Sequence, residues 1–460
     1  MAEWQGKRVV IVGLARQGLA LARYLAPKGC HLVLTDRRTE AEFREARETL
    51  DGIGSIEWAL DGHPLEILDG ADMVCPSGGV SLNLPLLVEA KRRGIPLSND
   101  SQIFLETAPC LVVGITGSAG KTTTTTLVGR MAGAGYQGGR VWVGGNIGDP
   151  LISYLDEMQP GDLAVMELSS FQLEIMTLSP DIAAVLNITP NHLDRHESMH
   201  SYIAAKAHIL DYQKAGDIAV LGNEDPGAWD LAEKVKGKIY SFGLSPAAMA
   251  QVSAYLKGDA IYLREGGSEL EVMGLENIRL RGRHNLMNVL AACSISAAAG
   301  IPAQAMAAGV EGFTGVPHRM EFVRSWGGAG WYNDSIATAP ERSMAAIQSF
   351  DEPLVLLAGG RDKNLPWEAF AALVRERVNH LILFGEARGV ITQALENEGG
   401  MYGRSLVVSE CRGLREAVRL AAEIVEPGDV VLLSPGGTSF DEFHDFEERG
   451  EAFKRWVMDL

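Results

Sequence analysis

The stretch 114-GITGSAGKTTTTTLVGRM-131 decides how the rest of the chain is read. An apolar run enters a Gly-rich turn, and Gly-Lys-Thr then opens a helical pattern. That order suits phosphate binding: glycines let backbone N–H groups approach an anion, and a helix start adds positive potential. Gly117, Ser118, Ala119, Gly120, Lys121, Thr122 and Thr123 are the candidate nucleotide contacts, with Lys121 reaching the β/γ-phosphates and Thr122 holding Mg²⁺. The standard spacing G-x-x-x-x-G-K-[ST] is not met, because it needs glycine where Ile115 stands and Gly114 is one residue early. Taken alone, the residues also fit a plain Gly-rich strand-to-helix turn.

The 460 residues correspond to about three domains. A hydrophobic share of 46% with 22% charged residues is that of an ordinary globular chain. The formal net charge of -18 argues against a general nucleic-acid binder, whose footprint is a basic face. An anionic small molecule stays possible, since one helix start and one lysine can hold a phosphate in an acidic protein. Cys30, Cys75, Cys110, Cys293 and Cys411 are scattered without a C-x-x-C pair, which points to reduced thiols rather than a disulfide framework or a zinc site. The apolar run near the N-terminus is too short for a signal peptide or a membrane span, so a cytoplasmic protein without membrane insertion is expected.

Short β-branched runs alternate with helical patterns along nearly the whole length. RVVIVGL (8–14), HLVLTD (31–36), ADMVCPS (71–77), LVVGITG (111–117), LAVMELS (163–169), IAAVLNI (182–188) and DIAVLGN (217–223) are the strand candidates of the first two thirds. PLVLLAGG (353–360), HLILFGEA (380–387) and DVVLLSPG (429–436) follow near the end. Continuous apolar strands separated by helices predict parallel sheets and an α/β fold. Boundaries are placed near residue 100, before the phosphate loop, and at FTGVPHRME (313–321), giving segments 1–99, 100–315 and 316–460. Segment 238–283 is expected to form antiparallel strands appended to the middle domain.

TGSAGKTTT resembles the T-G-[TS]-N-G-K-[ST]-[ST] loop of the Mur ligases, the ATP-dependent amide-forming enzymes of peptidoglycan precursor synthesis. The shifted glycine belongs to that loop, and Ala119 stands where the family has Asn. The resemblance implies a Rossmann-like N-terminal domain, a central P-loop-type domain and a C-terminal Rossmann-like domain. LAVMELSSFQLE (163–174) ends an apolar strand in Glu167, a carboxylate at a strand's C-terminal edge that suits Mg²⁺; alone it also fits a solvated strand-end acid. The string ELSSFQLE resembles the D-glutamate-adding branch and makes Ser169 an implied substrate contact.

NITPNHLDRHESMHSYIAAKAHIL (187–210) carries four histidines, but zinc sites without cysteine or a supporting carboxylate pattern are uncommon. It resembles the family's N-x-[ST]-x-[DN]-H-[ML]-D-R, matched through His192, Asp194 and Arg195. His192 is thereby the implied ligand of a second Mg²⁺, and Lys206 the lysine carboxylated by CO₂; read in isolation, Lys206 is a surface helix lysine. RGRHNLMNVLAA (281–292) resembles G-x-H-N-x-x-N-[AV]-x-A-A, which places Asn285 and Asn288 at the nucleotide, with Asn146 of VGGNIG as the adenine contact. Cap or turn roles are the plainer readings of these asparagines. VPHRME (316–321) resembles L-P-H-R-x-E, with His318 and Arg319 at the nucleotide.

WYNDSIATAPERS (331–343) resembles N-D-S-K-A-T-N, with Asp334 near the ribose and Thr338 at the substrate. Ile336 replaces the lysine of that motif and Ala339-Pro340 replace the following Asn, and losing an ammonium from an anion-rich site is not neutral. AGGRDKNLPW (358–367) and LLSPGGTSFDEFHDFEERGEAF (432–453) make Lys363, Ser439 and Phe446 the implied glutamate pocket; otherwise the charges of the second string are a solvated helix face.

At the N-terminus, a dinucleotide fingerprint needs glycine at 13, 15 and 18, and position 15 is Ala. The resemblance implies a UDP-sugar instead, with Ala15 and Arg16 in the phosphate-facing turn and Asp36 and Arg37 at the uridine end. The implied substrates are UDP-N-acetylmuramoyl-L-alanine and D-glutamate, with ATP, two Mg²⁺ and carboxylated Lys206, in a monomer. Competing readings are a folylpolyglutamate-type or L-glutamate-adding ligase, a nucleotide-binding protein without ligase chemistry, and a nicotinamide oxidoreductase.

Overall fold

The computed structural model describes residues 4–189, 198–280, 282–363, 365–398 and 405–460. The chain divides into two compact units, Met1–Phe313 and Thr314–Leu460.

The first unit holds two sheets. The smaller is built from β1 (Arg8–Val12), β2 (His31–Thr35), β3 (Ser55–Ala59) and β4 (Met73–Pro76), in the order β3-β2-β1-β4. All its pairs are parallel. The strand order reverses between β1 and β4, and the crevice at the carboxyl ends of strands at such a point is where α/β sheets take ligands. Gly13 ends β1 with φ +85°, and the helix Arg16–Leu25 follows directly. At Gly18 a Cβ would lie 2.1 Å from the Gly13 carbonyl oxygen, so only glycine lets helix and turn approach this closely.

The larger sheet contains β5 (Leu111–Thr116), β6 (Val141–Gly145), β7 (Leu163–Glu167), β8 (Ile182–Val185), β9 (Ile218–Gly222), β10 (Lys238–Gly243), β11 (Val252–Lys257), β12 (Ala260–Glu265) and β13 (Ser268–Gly274). Its order is β13-β12-β11-β10-β9-β8-β5-β7-β6. β5 and β7 are adjacent interior strands near the β6 edge, and β7 is buried along its whole length, as expected for parallel strands covered on both faces. The expectation of antiparallel strands over 238–283 is met only in part. β10 and β11 extend the parallel array, and the antiparallel pairs are β11–β12 and β12–β13. One apolar core runs through both sheets, from Trp4 and Val9 to Leu231 and Ala232.

The second unit has one sheet of β14 (Glu321–Trp326), β15 (Ala329–Asn333), β16 (Leu354–Gly359), β17 (Val378–Phe384), β18 (Val407–Glu410) and β19 (Val430–Gly436), ordered β14-β15-β19-β16-β17-β18. Only β14 runs antiparallel, joined to β15 by Gly327 and Gly328 at φ +63° and +81°, the left-handed pair that a two-residue hairpin turn requires. β16 and β19 are fully buried and adjacent, with apolar clusters on both faces of the sheet. Among the described residues no helix is long and apolar enough to cross a membrane, and the five cysteines are buried and unbonded.

The turn after β2 shows how a charge fixes this architecture. Asp36 is 6% exposed; burial pushes its pKa up, but Arg38 and the backbone N–H groups of Leu14 and Arg38 outweigh this and hold it at about 2. Because the folded value lies below the ordinary 3.8, the carboxylate stabilises the fold above pH 3.8 and that contribution fades as pH falls toward 2. Asp36→Asn is expected to lose about 1–2 kcal/mol at neutral pH. Urea unfolding across a pH series checks this, with the two proteins converging as the pH approaches 2.

Candidate active site

The loop 117–120 leaves β5, between β8 and β7 in the larger sheet, and the helix Lys121–Gly135 begins at once. Gly120 has φ +82°, and a Cβ there would sit 2.1 Å from Asn288 Oδ1. Asn288 in turn donates from Nδ2 to Asn285 Oδ1 at 3.1 Å. The structure thus brings Asn285 and Asn288, at the start of the helix Arg283–Ala298, against the glycine turn.

Asn187, just beyond β8, braces the loop from the other side. Its backbone oxygen accepts from Ser118 N–H, its Oδ1 from Ala119 N–H at 2.9 Å, and its Nδ2 donates to the Ala119 carbonyl. The amides of Ser118 and Ala119 are therefore taken by protein oxygens. The first amides of the following helix, from Lys121 through Thr123, have no acceptor within that helix. Ser118 Oγ lies 3.0 Å from the Tyr202 hydroxyl and donates to Thr189 O. Asn187 did not stand out in sequence beyond its place at the head of a motif, because its partner is 68 residues away.

Glu167 at the end of β7 is 1% exposed. Thr122 Oγ1 donates to its Oε2 at 2.9 Å, and Asn146 Nδ2 to its Oε1 at 2.8 Å. The solvated strand-end reading is excluded by this burial. A buried carboxylate whose partners are two neutral groups, beside a phosphate-type loop, is a donor set that fits a hard cation.

Lys206, in the helix Met199–Asp211, is also 1% exposed, which corrects the surface-lysine reading. Its Nζ donates to the Gly117 carbonyl at 2.9 Å and lies 3.3 Å from Thr116 Oγ1. Lys121 Nζ donates to the same Gly117 carbonyl, also at 2.9 Å. Burial, then the charge of Lys121, drive the Lys206 pKa well below that of an ordinary lysine, opposed by Glu167. His192, Asp194 and Arg195 lie outside the described residues, as does His196; His208 bonds the Leu173 carbonyl through Nδ1.

Gln172 of the ELSSFQLE string has a structural duty that sequence did not disclose. Its Oε1 accepts from Ser169 N–H and Oγ, and its Nε2 donates to Ser101 Oγ. Asn99 Nδ2 donates to the Gln172 carbonyl. This network ties the connecting segment to the strand that carries Glu167. Ser169 also faces the smaller sheet, 3.9 Å from where a Cβ of Gly78 would stand, and Gly78 N–H donates to Gln17 Oε1. Ala15 and Arg16 are exposed at the start of their helix, and Ala15 offers no side-chain cap. Arg37 is exposed, while Asp36 is engaged within its own turn.

In the second unit, Asp334 follows β15 and Lys363 follows β16. Asp334 is 4% exposed and accepts from Ser434 Oγ at 2.8 Å; burial raises its pKa to about 7. His318 is buried at φ +62°, and its Nδ1 lies 3.1 Å from Asn333 Nδ2. A Cβ at Gly450 would come within 2.0 Å of that Nδ1, and Phe446 meets the ring edge-to-face at 6.2 Å. Arg319 is half-buried, Ser439 is buried, and Lys363 Nζ lies 3.4 Å from Thr338 Oγ1. Arg449 is fully buried, so the charges of 432–453 are not all on a solvated face.

Sequence profiles of known domain families match three stretches: a MurD-like N-terminal domain of Mur ligases over residues 7–99, a Mur ligase middle domain over 115–296, and a Mur ligase glutamate ligase domain over 318–437. The chain belongs to the Mur ligase family. The UDP-N-acetylmuramoylalanine–D-glutamate ligase of Symbiobacterium thermophilum is 40% identical over 454 residues, 99% of this chain and 98% of that protein. The enzyme of the same name from Geotalea uraniireducens is 40% identical over 462 residues, covering 100% and 98% of the two chains. Solved structures share the fold at low identity. UDP-N-acetylmuramate-alanine ligase MurC from Thermotoga maritima gives a TM-score of 0.57 at 18% identity over 98% of this chain and 100% of that one. MurF from Acinetobacter baumannii also gives 0.57, at 17% identity over 98% and 93%. As a Mur ligase, the chain is an ATP-dependent, amide-forming enzyme.

Gly120→Ala is expected to raise the KM for ATP at least about tenfold, since it strains a positive φ and displaces Asn288. Gly133→Ala, in the same helix with nothing within 4 Å of its would-be Cβ, should leave that KM unchanged and raise the melting temperature slightly. Steady-state kinetics and thermal unfolding of both variants check the pair.

Proposed function

We propose that this ligase joins D-glutamate to UDP-N-acetylmuramoyl-L-alanine in peptidoglycan precursor synthesis, in the cytoplasm. The full-length likeness to enzymes of that name supports the substrates. The observation that carries the chemistry is the meeting of Lys121, Lys206, Thr122 and Glu167 around one glycine loop. In this proposal segment 1–99 takes the UDP-sugar, 100–315 takes ATP and 316–460 takes the amino acid.

A carboxylate is a poor acceptor for an amine because oxide would have to leave. Transfer of the γ-phosphoryl group of ATP to the alanyl carboxylate gives an acyl phosphate, and attack by the glutamate amine then releases phosphate. Negative charge grows on the phosphoryl oxygens and later on the tetrahedral centre, and positioned positive charge is usually the largest catalytic contribution there. In this reading Lys121 and the first amides of its helix supply it. Asn285 and Asn288 line the turn that receives the nucleotide, with Asn146, His318, Arg319 and Asp334 as further nucleotide contacts.

Mg²⁺ at Thr122 and Glu167, and a second ion at His192 and carboxylated Lys206, would neutralise charge on the transferring group. The described residues fit the first ion through a buried carboxylate and a hydroxyl in direct contact. Lys206 is suited to carboxylation because its amine is held toward the neutral form, which is the form that attacks CO₂. Attack of the neutral amine on CO₂ forms the N–C bond of an anionic carbamate and releases one proton, or two when counted from the ammonium form. Lys363, Thr338, Ser439 and Phe446 are proposed to receive the glutamate, and Ala15, Arg16, Asp36, Arg37 and Ser169 the UDP-sugar.

Phosphate release measured with ATP and UDP-N-acetylmuramoyl-L-alanine, comparing D-glutamate, L-glutamate and neutral amino acids, tests the proposal. D-Glutamate is expected to be preferred, and Lys121→Ala to reduce turnover by at least about a thousandfold. Preference for another amino acid would refute the substrate assignment, and activity of Lys121→Ala within a few-fold of wild type would refute the role of that lysine.

A further inference from the structure

Position 336 is where the N-D-S-K-A-T-N pattern has a cation and this chain has an isoleucine. Ile336 N–H donates to the His318 carbonyl, so its backbone is fixed while its side chain brings no charge. Six residues on, Arg342 sits in the first turn of the helix Pro340–Ile347. The helix start is anchored by its neighbour Ser343, whose Oγ donates to the Ser434 carbonyl, while Ser434 Oγ donates to Asp334. Arg342 therefore begins from a rigid part of the second unit, beside the crevice at the ends of β15, β16 and β19.

The guanidinium of Arg342 makes no hydrogen bond or ion pair with any described residue, yet it is within electrostatic reach of Arg319, Asp334 and Lys363. It is exposed to solvent, while the surrounding protein, and after it Arg319, lower its pKa, as expected for a group lining a recess. Lys363 is within reach of both Arg342 and Arg449, and its pKa is lowered by burial and by those two charges. Arg449 is buried with its donors on the Ser335 hydroxyl and carbonyl and on the Gly437 carbonyl, all neutral oxygens. Arg319 and Arg342 are thus within electrostatic reach of one acid, Asp334, whose pKa burial raises to about 7, while Arg342 and Arg449 are both within reach of Lys363. Arg342 and Lys363 form no ion pair with any described residue, so the two like charges repel, and an arriving anion relieves that repulsion.

We propose that Arg342, together with Lys363, binds a carboxylate of the incoming acidic amino acid and supplies from the helix the positive charge that position 336 lacks. The inference rests on the ligase reading above and goes beyond it, naming a specificity-determining residue. A guanidinium offers two parallel N–H donors to a carboxylate, which an ammonium does not, so the exchange of lysine for an arginine elsewhere keeps charge while sharpening selection for an acid over a neutral amino acid.

Steady-state phosphate release from Arg342→Met, Arg342→Lys and the double variant Arg342→Met/Ile336→Lys tests this. Arg342→Met is expected to raise the KM for glutamate about tenfold or more, the size expected of a lost charge-assisted hydrogen bond. The KM values for ATP and for the UDP-sugar should stay within about threefold, well under the 1.4 kcal/mol that a factor of ten represents. Arg342→Lys should fall between, and the added lysine at 336 should recover part of the loss, which a merely structural role would not allow. An unchanged KM for glutamate, or a rise confined to ATP, would overturn the proposal, the second outcome assigning the arginine to phosphoryl oxygens. Wild-type protein that does not turn over glutamate at all refutes the ligase reading, and this inference with it; wild-type turnover with an indifferent Arg342→Met refutes this inference alone.

Discussion

Two ammonium groups share one backbone oxygen. Lys121, from the helix after β5, and Lys206, from the helix Met199–Asp211, both donate to the Gly117 carbonyl at 2.9 Å. Two full charges that close, one of them almost wholly buried, are costly, and Glu167 is the acid that opposes the lowering of the Lys206 pKa. The protein meets this by holding Lys206 toward its neutral form and packing Tyr202 beneath its Nζ at 4.8 Å. The rest of the first unit serves that arrangement. β5 and β7 run side by side to deliver the loop and Glu167 to the same edge, Asn187 braces the loop, and the Gln172 network fixes the strand end against Asn99 and Ser101.

The second unit solves a comparable problem with different means. A fully buried Arg449 is held by neutral oxygens, and the adjacent Gly450 leaves room for the His318 ring, which a side chain there would strike. The Arg-Gly pair in the last helix and the Pro-His-Arg string before β14 are therefore one packing unit, although 130 residues of sequence separate them roughly. Its effect is to collect positive charge at the carboxyl ends of β15, β16 and β19, where parallel sheets present ligand sites. Buried, weakly compensated charge on this scale is a property of sites built for a ligand more than of stable cores.

Much of this was legible in the amino-acid sequence, and the limits have physical causes. β1, β2, β5, β7, β16 and β19 announce themselves because both their faces are buried and they read as unbroken apolar runs. β3 and β18 lie at sheet edges and carry polar residues, and β6 ends in two glycines, so none of them shows that signal. The β14–β15 hairpin carries a readable mark in Gly327-Gly328. At the site, the phosphate loop is local and so was visible. The burial of Lys206, the brace from Asn187 and the neighbours of Arg342 come from contacts between distant segments, which no periodicity encodes. For Lys206 in particular, a helix covered on several sides lacks the one-sided apolar stripe that distinguishes inside from outside.

The central proposal is that Lys206, a buried amine whose pKa burial and Lys121 lower, takes up CO₂. The most direct measurement is carbon-13 NMR of the protein equilibrated with ¹³C-labelled bicarbonate, with Lys206→Ala alongside. A carbamate resonance, distinct from bicarbonate, present in wild type and absent from the variant is the predicted result. Wild-type protein without that resonance, or the same resonance in Lys206→Ala, would contradict it.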